Sequence, residues 1–458
     1  MPPLLASVIY LSAAFYLLRR DMRQQRPNVT PALWLPTIWV FISGTRFVSQ
    51  WLDMFGINLG GTSYEEGSPI DALFFGGMTL LGIRVLLSRR ITPAEFARYN
   101  PWVAFYLVFC LVACFWSDFS FVAMKRWTKL LGQVVMVVVV ITEPNPQWSM
   151  VTMFKRLAYL VVPASFLFIK YYPEWGRGFD QWTGEGGNTG ITLNKNTLGS
   201  DCMIIGVVLF WELLRLWSDR GKKFWKGELP LVAALVGFNW YLLVMAQSST
   251  SMFCLVLAMM MMIVFRLKFL NPQMILYCLL GGVAILIIAE FGFHFITFFV
   301  TQVLHRNMTF TDRTLIWSVL LDMKINPVLG TGYESFFLGE RREEIWAKFP
   351  VLQLISAHNG YLQTYLDMGL LGLAVTLGLV FSILNKARRE LLFDRHLGSF
   401  RLSYLLIFLL YNWTEVGFRM QFAPFFVFFL AALEQKKTAP LDNPAQPDWP
   451  LTENYNEG

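Results

Sequence analysis

Three polar clusters interrupt an otherwise apolar chain, and each contains residue types that bind phosphate or transfer protons. The first cluster, residues 186–199, combines several glycines with Lys195 and Asn196. Glycine lets the backbone approach a ligand, and a lysine at the N-terminus of a helix attracts anions such as phosphate. An ordinary polar loop whose lysine reaches along the membrane surface has the same spacing.

The second cluster contains Arg306, Arg313 and Thr314. Two arginines can clamp a diphosphate, because each guanidinium group donates two parallel hydrogen bonds to phosphate oxygens. A solvated basic surface in contact with anionic lipid is the alternative interpretation.

The third cluster is His358-Asn359-Gly360. Of the four histidines, His358 is the one beside a glycine turn at the predicted mouth of a helix. A neutral histidine there can accept a proton from an attacking hydroxyl group. A histidine that merely caps the helix would explain the same position.

Further ionisable residues fall in or beside apolar stretches. Arg46, Asp201 and Glu290 lie within or near predicted membrane spans, and Glu415 and Arg419 lie near the last predicted outer turn. Charge inside a bilayer is costly, so these residues are candidates for function, although the sequence does not show which of them pair.

The elements that position these clusters are predicted to be transmembrane helices. Of the 458 residues, 55% are hydrophobic and 15% are charged, and the mean hydropathy is +0.47. This composition is typical of an integral membrane protein. Lipid offers no hydrogen-bond partner to the backbone, so the apolar runs must be helical. The predicted fold is an all-α, polytopic membrane protein.

Positive charge sets the predicted orientation. The formal net charge is +7, but the basic residues fall in short loops between alternate apolar runs rather than in one patch. The positive-inside rule places these loops in the cytoplasm, with the N-terminus outside and the C-terminus inside. The charge therefore indicates orientation and not a nucleic-acid partner. The first apolar run precedes its basic residues and has no cleavage pattern, which favours a retained span over a signal peptide.

Roughly 13 spans follow from these patterns. The predicted ranges are residues 3–18, 32–52, 70–87, 101–116, 127–141, 152–169, 196–214, 229–246, 252–265, 273–293, 361–384, 400–412 and 421–433. We predict an N-terminal transmembrane bundle at 1–185, a catalytic membrane region at 186–433 with a large helical periplasmic loop at 294–360, and a disordered cytoplasmic tail at 434–458.

Two helices are predicted inside the outer loop. One begins at Arg313, with Thr311 or Asp312 as its cap, and stops before Pro327. The other, residues 339–349, mixes charged and apolar side chains as an amphipathic helix on a membrane surface does. All 5 cysteines lie in apolar stretches, which indicates neither a disulfide framework nor a zinc site.

Taken in order, the clusters resemble the O-antigen ligase and polysaccharide polymerase superfamily. The resemblance rests on the strings GITLNKNTLG (190–199), LHRNMTFTDRTLIW (304–317), NPVLGTGYESFF (326–337) and AHNGYLQ (357–363), the last followed by GLLG (369–372). It implies a bacterial inner-membrane glycosyltransferase of the GT-C type that faces the periplasm.

Site roles are implied residue by residue. His358 matches the family's essential periplasmic histidine, Arg313 matches the arginine of its Gly-Arg-Thr motif, and Lys195 with Asn196 matches its lysine-asparagine element. The implied partners are a glycan donor on undecaprenyl diphosphate, a glycan or lipid A core acceptor, membrane lipid and a chain-length regulator.

The sequence departs from the family pattern at two places. Asp312 stands where a glycine usually precedes the motif arginine, and the turn at 247–251 has no arginine where ligases often carry one. The second string looks closer to exopolysaccharide polymerases. Ligase and polymerase differ in their acceptor, which one sequence does not specify.

The expected reaction is a direct, inverting displacement. An acceptor hydroxyl, with His358 as general base, attacks the anomeric carbon of the donor. Undecaprenyl diphosphate leaves, and Arg313, Lys195 and Arg306 hold its developing charge. No metal or cofactor is expected, because a diphosphate is already a good leaving group. Asn196 is expected to bind the donor diphosphate with Lys195 and Arg306. The residues expected to support the site are Asn359, Thr314, Glu415 and Arg419.

A transporter or flippase of lipid-linked glycans is the competing class. Many spans and intramembrane charges fit it too, and it predicts paired broken helices in two related halves, which the sequence does not show. A membrane scaffold in an envelope assembly complex is a third reading.

Overall fold

The structure, a computed structural model, describes residues 2–25, 29–57, 67–179, 184, 186–218, 227–267, 313–350 and 352–434. Several sequence predictions lie outside these residues. They are the span at 273–293, the site residue Arg306, the departure at Asp312, the acid Glu290 and the tail from residue 435.

Nearly all described elements are helices, several of which begin at a proline, where the missing N–H costs nothing. In chain order they are α1 (Pro3–Gln25), α2 (Trp34–Gly44, after a short 3-10 turn at Pro31–Leu33), α3 (Val48–Met54), α4 (Pro69–Ser88), α5 (Pro93–Tyr99), α6 (Pro101–Ala113), α7 (Ser120–Ile141), α8 (Pro146–Tyr171), α9 (Pro173–Gly176), α10 (Lys195–Ser218), α11 (Leu229–Ala246), α12 (Ser249–Arg266), α13 (Arg313–Leu321), α14 (Gly339–Lys348), α15 (Gly360–Phe393), α16 (Arg395–Thr414) and α17 (Ala423–Ala432).

The membrane class is confirmed. Within the described residues, every predicted span overlaps one or more of these helices. Here 6 helices are long and apolar enough to cross a membrane, or 7 if α5 and α6, which meet at 116°, form one span. The protein is therefore an all-α, multi-pass membrane protein, while the number of roughly 13 spans stays a prediction.

One predicted span is interrupted. Residues 32–52 form α2 and α3, with a break at Thr45 to Phe47. Arg46 lies in this break and donates hydrogen bonds to the carbonyl oxygens of Trp175 (3.2 Å) and Thr192 (3.0 Å). The candidate Arg46 thus ties the break to the loop before α10.

The outer loop before α10 contains a small element that the sequence analysis missed. Strands β1 (Arg177–Phe179) and β2 (Gly186–Asn188) pair antiparallel, with Gly178 opposite Gly187. Strands of only three residues, half of them glycine, show no alternation of apolar and polar residues, so no strand pattern was visible.

Ion pairs join the helices at the end that the positive-inside rule assigns to the cytoplasm. Arg156 pairs with Asp21 at 2.8 Å, and both side chains are nearly inaccessible. Arg89 pairs with Glu143, and Arg20 and Lys155 both pair with Glu228. These ion pairs join α1 to α8 and the end of α4 to the turn between α7 and α8. They also join both α1 and α8 to the residue that precedes α11.

The predicted helices of the outer loop are present as α13 and α14. Their apolar residues Ile316, Leu320 and Ile345 pack with Leu354 and Ala357 in one small hydrophobic core. Because Leu354 and Ala357 belong to this core, it holds the segment that precedes His358 against α13 and α14. The placement of α14 on a membrane surface stays a prediction.

Candidate active site

Residues from three distant parts of the chain converge on the carboxylate of Glu415, in the turn between α16 and α17. Arg313 Nη2 lies 3.0 Å from Glu415 Oε1, and Asn196 Nδ2 donates to the same oxygen at 3.4 Å. His358 Nδ1 lies 3.8 Å from Glu415 Oε2. This Glu415 cluster unites residues from the three motifs that the sequence analysis singled out.

A side-chain cap shapes the turn that carries Glu415. Asn412 Oδ1 accepts hydrogen bonds from the backbone N–H groups of Gly417 (2.9 Å) and Phe418 (3.2 Å). The Glu415 carbonyl oxygen accepts from Gly360 N at 3.1 Å. Gly360 must be glycine, because a Cβ atom there would collide with Asn412 Oδ1.

His358 stands in an unusual backbone conformation at the entrance to α15. Its φ of +47° lies in the left-handed region, which residues other than glycine rarely adopt. Asn359, not His358, caps the helix: its Oδ1 accepts from Tyr361 N and Leu362 N, both at 3.0 Å. Asn359 Nδ2 donates to the carbonyl of Trp413 at 3.2 Å, which ties the histidine segment to the end of α16.

The first motif divides its tasks between neighbouring residues. One of the two asparagines that flank Lys195 caps α10. Asn194 does so, because its Oδ1 accepts from Thr197 N at 2.9 Å, while Asn196 reaches Glu415. Lys195 is half-buried at the first position of α10, and its stem passes over Gly187 of β2.

The arginine-free turn at 247–251 contacts Thr414, the residue before Glu415. Thr250 Oγ1 lies 3.1 Å from Thr414 Oγ1, and Ser248 packs against Gly199 of α10. Within the turn, Ser248 Oγ donates to Ser251 Oγ at 3.0 Å. The turn therefore packs α12 against the residue that precedes Glu415.

Both terminal nitrogens of the Arg313 guanidinium group have hydrogen-bond partners. Besides its ion pair with Glu415, its Nη1 donates to the carbonyl oxygen of Thr414. Only 11% of its side chain is exposed. The structure therefore places Arg313 as the partner that holds the Glu415 turn, while Thr314 is exposed on α13.

The surroundings keep Glu415 ionised. Burial by itself would raise the pKa of this carboxyl, but the neighbouring His358 and Arg313 outweigh burial and bring the pKa below its ordinary value.

Arg419 lies outside the Glu415 cluster, in the wall of a neighbouring recess, with Arg126 and Gln363 among the other lining residues. In the described residues, no group of three or more His, Cys, Asp or Glu side chains could hold a metal ion. The sequence analysis did not find Asn412 and Thr250, because ordinary helix-end residues give no chemical signal.

The fold and the cluster define a multi-pass helical membrane protein whose polar site is built where helices and loops end. Residues 231–377 match the family model described as O-Antigen ligase. No curated protein matches the chain. The family match confirms the resemblance to the O-antigen ligase and polymerase superfamily, and it spans both Arg313 and His358.

Proposed function

We propose that the protein is a glycosyltransferase that moves a glycan from undecaprenyl diphosphate to an acceptor hydroxyl at the periplasmic face of the bacterial inner membrane. The observation that carries this proposal is the contact of His358 with Glu415, which Arg313 and Asn196 hold in place. The matched O-antigen ligase family supports an enzyme that acts on lipid-linked glycans.

His358 is proposed as the general base. Its Nδ1 faces Glu415, and Nε2 is proposed to accept the proton of the acceptor hydroxyl. Glu415 then stabilises the imidazolium that forms, as an orienting carboxylate does in other histidine-based sites. The distance of 3.8 Å is longer than a hydrogen bond, and such contacts tighten when substrate binds.

The bond changes balance without a further reactant. The acceptor oxygen forms a bond to the anomeric carbon, the bond from that carbon to the phosphate oxygen breaks, and the diphosphate leaves with the electron pair. Attack from the face opposite the leaving group inverts the anomeric centre. Lys195, at the N-terminus of α10, is proposed to bind the diphosphate, together with Arg306. Arg313 is proposed to act through Glu415 and the adjacent turn.

The test is transfer by purified protein in liposomes that contain lipid-linked donor. His358→Ala is expected to lose activity by about 10²- to 10⁴-fold, the usual contribution of a general base. Lys348→Ala, an exposed substitution on α14, is the control. New glycosidic bonds from the wild type support the proposal, whereas movement of the lipid across the bilayer without bond formation contradicts it. Full activity of His358→Ala at a normal protein level would rule out the role given to the histidine.

A further inference from the structure

A small recess, with room for about one water molecule, lies directly beside the Glu415 cluster. Its wall includes Arg126, Glu334, Ser356, Gln363, Val416 and Arg419. Ser356 precedes His358 by two residues, and Val416 follows Glu415. The recess and the Glu415 cluster thus share two chain segments, the one before α15 and the one between α16 and α17.

Hydrogen bonds make the wall on the histidine side rigid. Gln363 Oε1 accepts from Ala357 N at 3.0 Å, and Gln363 Nε2 donates to Asp367 Oδ2 at 2.8 Å. The other oxygen of Asp367 accepts from Phe336 N at 3.0 Å, so this buried carboxylate is already bound on both sides. The position of the wall is therefore fixed relative to His358.

Positive charge dominates the lining. Arg126 is 8% exposed and donates to the carbonyl oxygen of Glu334. Lys129 follows Arg126 by three residues and so shares its face of α7. Arg419 is half-buried, and within the described part of the chain its side chain forms no hydrogen bond or ion pair. Glu334 is the one acidic residue in the wall.

We propose that an oxyanion carried by the acceptor glycan, a carboxylate or phosphate, binds at the mouth of this recess, with Arg419 as its main ligand. A guanidinium group binds either oxyanion through two parallel hydrogen bonds. The assignment to the acceptor rests on the proposed function, in which the acceptor hydroxyl lies against His358. None of the described wall residues belongs to the loop before α10 or to Lys195, which is proposed to bind the donor diphosphate.

Acceptor selectivity tests the subsite. The probes are a glycan acceptor that contains a uronic acid and the same glycan with its carboxyl group reduced to an alcohol. The wild type is expected to prefer the charged acceptor by about tenfold in kcat/KM, as expected for one charge-assisted hydrogen-bond pair. Arg419→Gln is expected to lose this preference by slowing only the charged acceptor. Arg419→Lys should keep part of it, and the exposed control Lys348→Gln should keep all of it.

Two results of this experiment would overturn the subsite. One is a wild type without preference. The other is an equal loss on both acceptors in Arg419→Gln, which would assign Arg419 to the donor or to the fold.

A binding measurement separates the subsite from the transfer reaction. Ile355→Cys, made with Cys278→Ser, places an accessible thiol at the recess, because Ile355 is an exposed lining residue and the cysteines in the described residues are buried. The uronic acid glycan should slow the reaction of this thiol with maleimide, and the reduced glycan should not. Arg419→Gln should abolish the protection.

The two proposals then fail separately. Protection without transfer would contradict the proposed function and leave the subsite standing. Transfer without protection would overturn the subsite, and so would protection by undecaprenyl diphosphate alone.

Discussion

At the scale of single residues, the Glu415 carboxylate connects the candidate base to the rest of the site. One of its oxygens faces His358, and the other accepts from Arg313 and Asn196. A histidine that takes a proton becomes positively charged, and a fixed carboxylate offsets that charge without moving. Arg313 in turn keeps the carboxylate from rotating away.

We predict that Glu415→Gln lowers kcat by about 10²-fold or more, because the amide offers His358 no negative charge. KM for the donor should change little, since Glu415 is proposed to position the base and not to bind the diphosphate. Steady-state transfer with purified protein measures both constants. A large rise in KM with an unchanged kcat would contradict this role.

The charge state of Glu415 is checked through stability. Its folded pKa is below the ordinary value of 4.5, so the folded state binds fewer protons than the unfolded chain near that pH. The stabilisation is therefore complete above pH 4.5 and is lost as the pH falls through the folded pKa. In detergent at pH 7, the wild type should unfold at a higher temperature than Glu415→Gln. This difference in unfolding temperature should shrink under acidic conditions. An unchanged gap would show that the carboxylate is not ionised as described.

Part of this cluster was predictable from the sequence and part was not. His358, Arg313 and Asn196 were found because they sit in short strings with recognisable chemistry. Glu415 was proposed only as a supporting residue, because its role depends on contacts with residues far away in sequence. Spacing along a chain cannot show which distant carboxylate meets which histidine.

At the scale of elements, the break in α15 has a clear structural cause. Gly369 has φ +63° and ψ −163°, a conformation that belongs almost only to glycine. The backbone groups freed by the break find partners in the preceding loop: Leu370 N donates to Pro327 O at 2.9 Å, and Leu371 N donates to Val328 O at 3.2 Å. The loop also donates back to α15, from Gly332 N to Asp367 O at 2.8 Å.

The sequence predicted one continuous span at 361–384, and the break within it was not foreseen. Glycines are common in membrane helices, so Gly369 in an apolar run gave no signal of a break. The partner that stabilises the break comes from the loop at 327–332. The broken helix holds the end of the outer loop against the start of α15, where His358 lies.

We predict that Gly369→Ala destabilises the protein by about 1–3 kcal/mol through backbone strain alone. A Cβ atom would in addition collide with the carbonyl oxygen of Val328. Thermal unfolding in detergent and transfer activity are the measurements. The matched control is Gly76→Ala in α4, where a Cβ atom would meet nothing within 4 Å. Equal stability of the two variants would show that the break is not required.

At the scale of the whole molecule, two ends with different chemistry are separated by apolar helices. One end carries ion pairs between helices, such as Arg156 with Asp21. The Glu415 cluster and the recess lie in the turns that the positive-inside rule assigns to the opposite side. Helices of the predicted N-terminal bundle pack directly on the catalytic region, as α8 does on α10 and α11.

The sequence predicted the helix positions but not the bends and breaks within them. Hydropathy marks an apolar segment, but it does not tell a straight span from the bent pair α5 and α6 or from the interrupted pair α2 and α3. The break at α2 depends on Arg46, whose partners are backbone carbonyls more than a hundred residues away. A polar contact of this kind is invisible to a sliding window.

The orientation of the protein in the membrane decides which glycan donor can reach the Glu415 cluster. With Cys278→Ser as background, Lys348→Cys is expected to react with a membrane-impermeant maleimide in intact spheroplasts, and Arg98→Cys only after lysis. Both positions are exposed, Lys348 on α14 near the histidine segment and Arg98 in the last turn of α5. The positive-inside rule places them on opposite sides. The reverse labelling pattern would put the Glu415 cluster in the cytoplasm, where nucleotide sugars are the usual donors, and the proposed use of a lipid-linked donor at the periplasmic face would have to be abandoned.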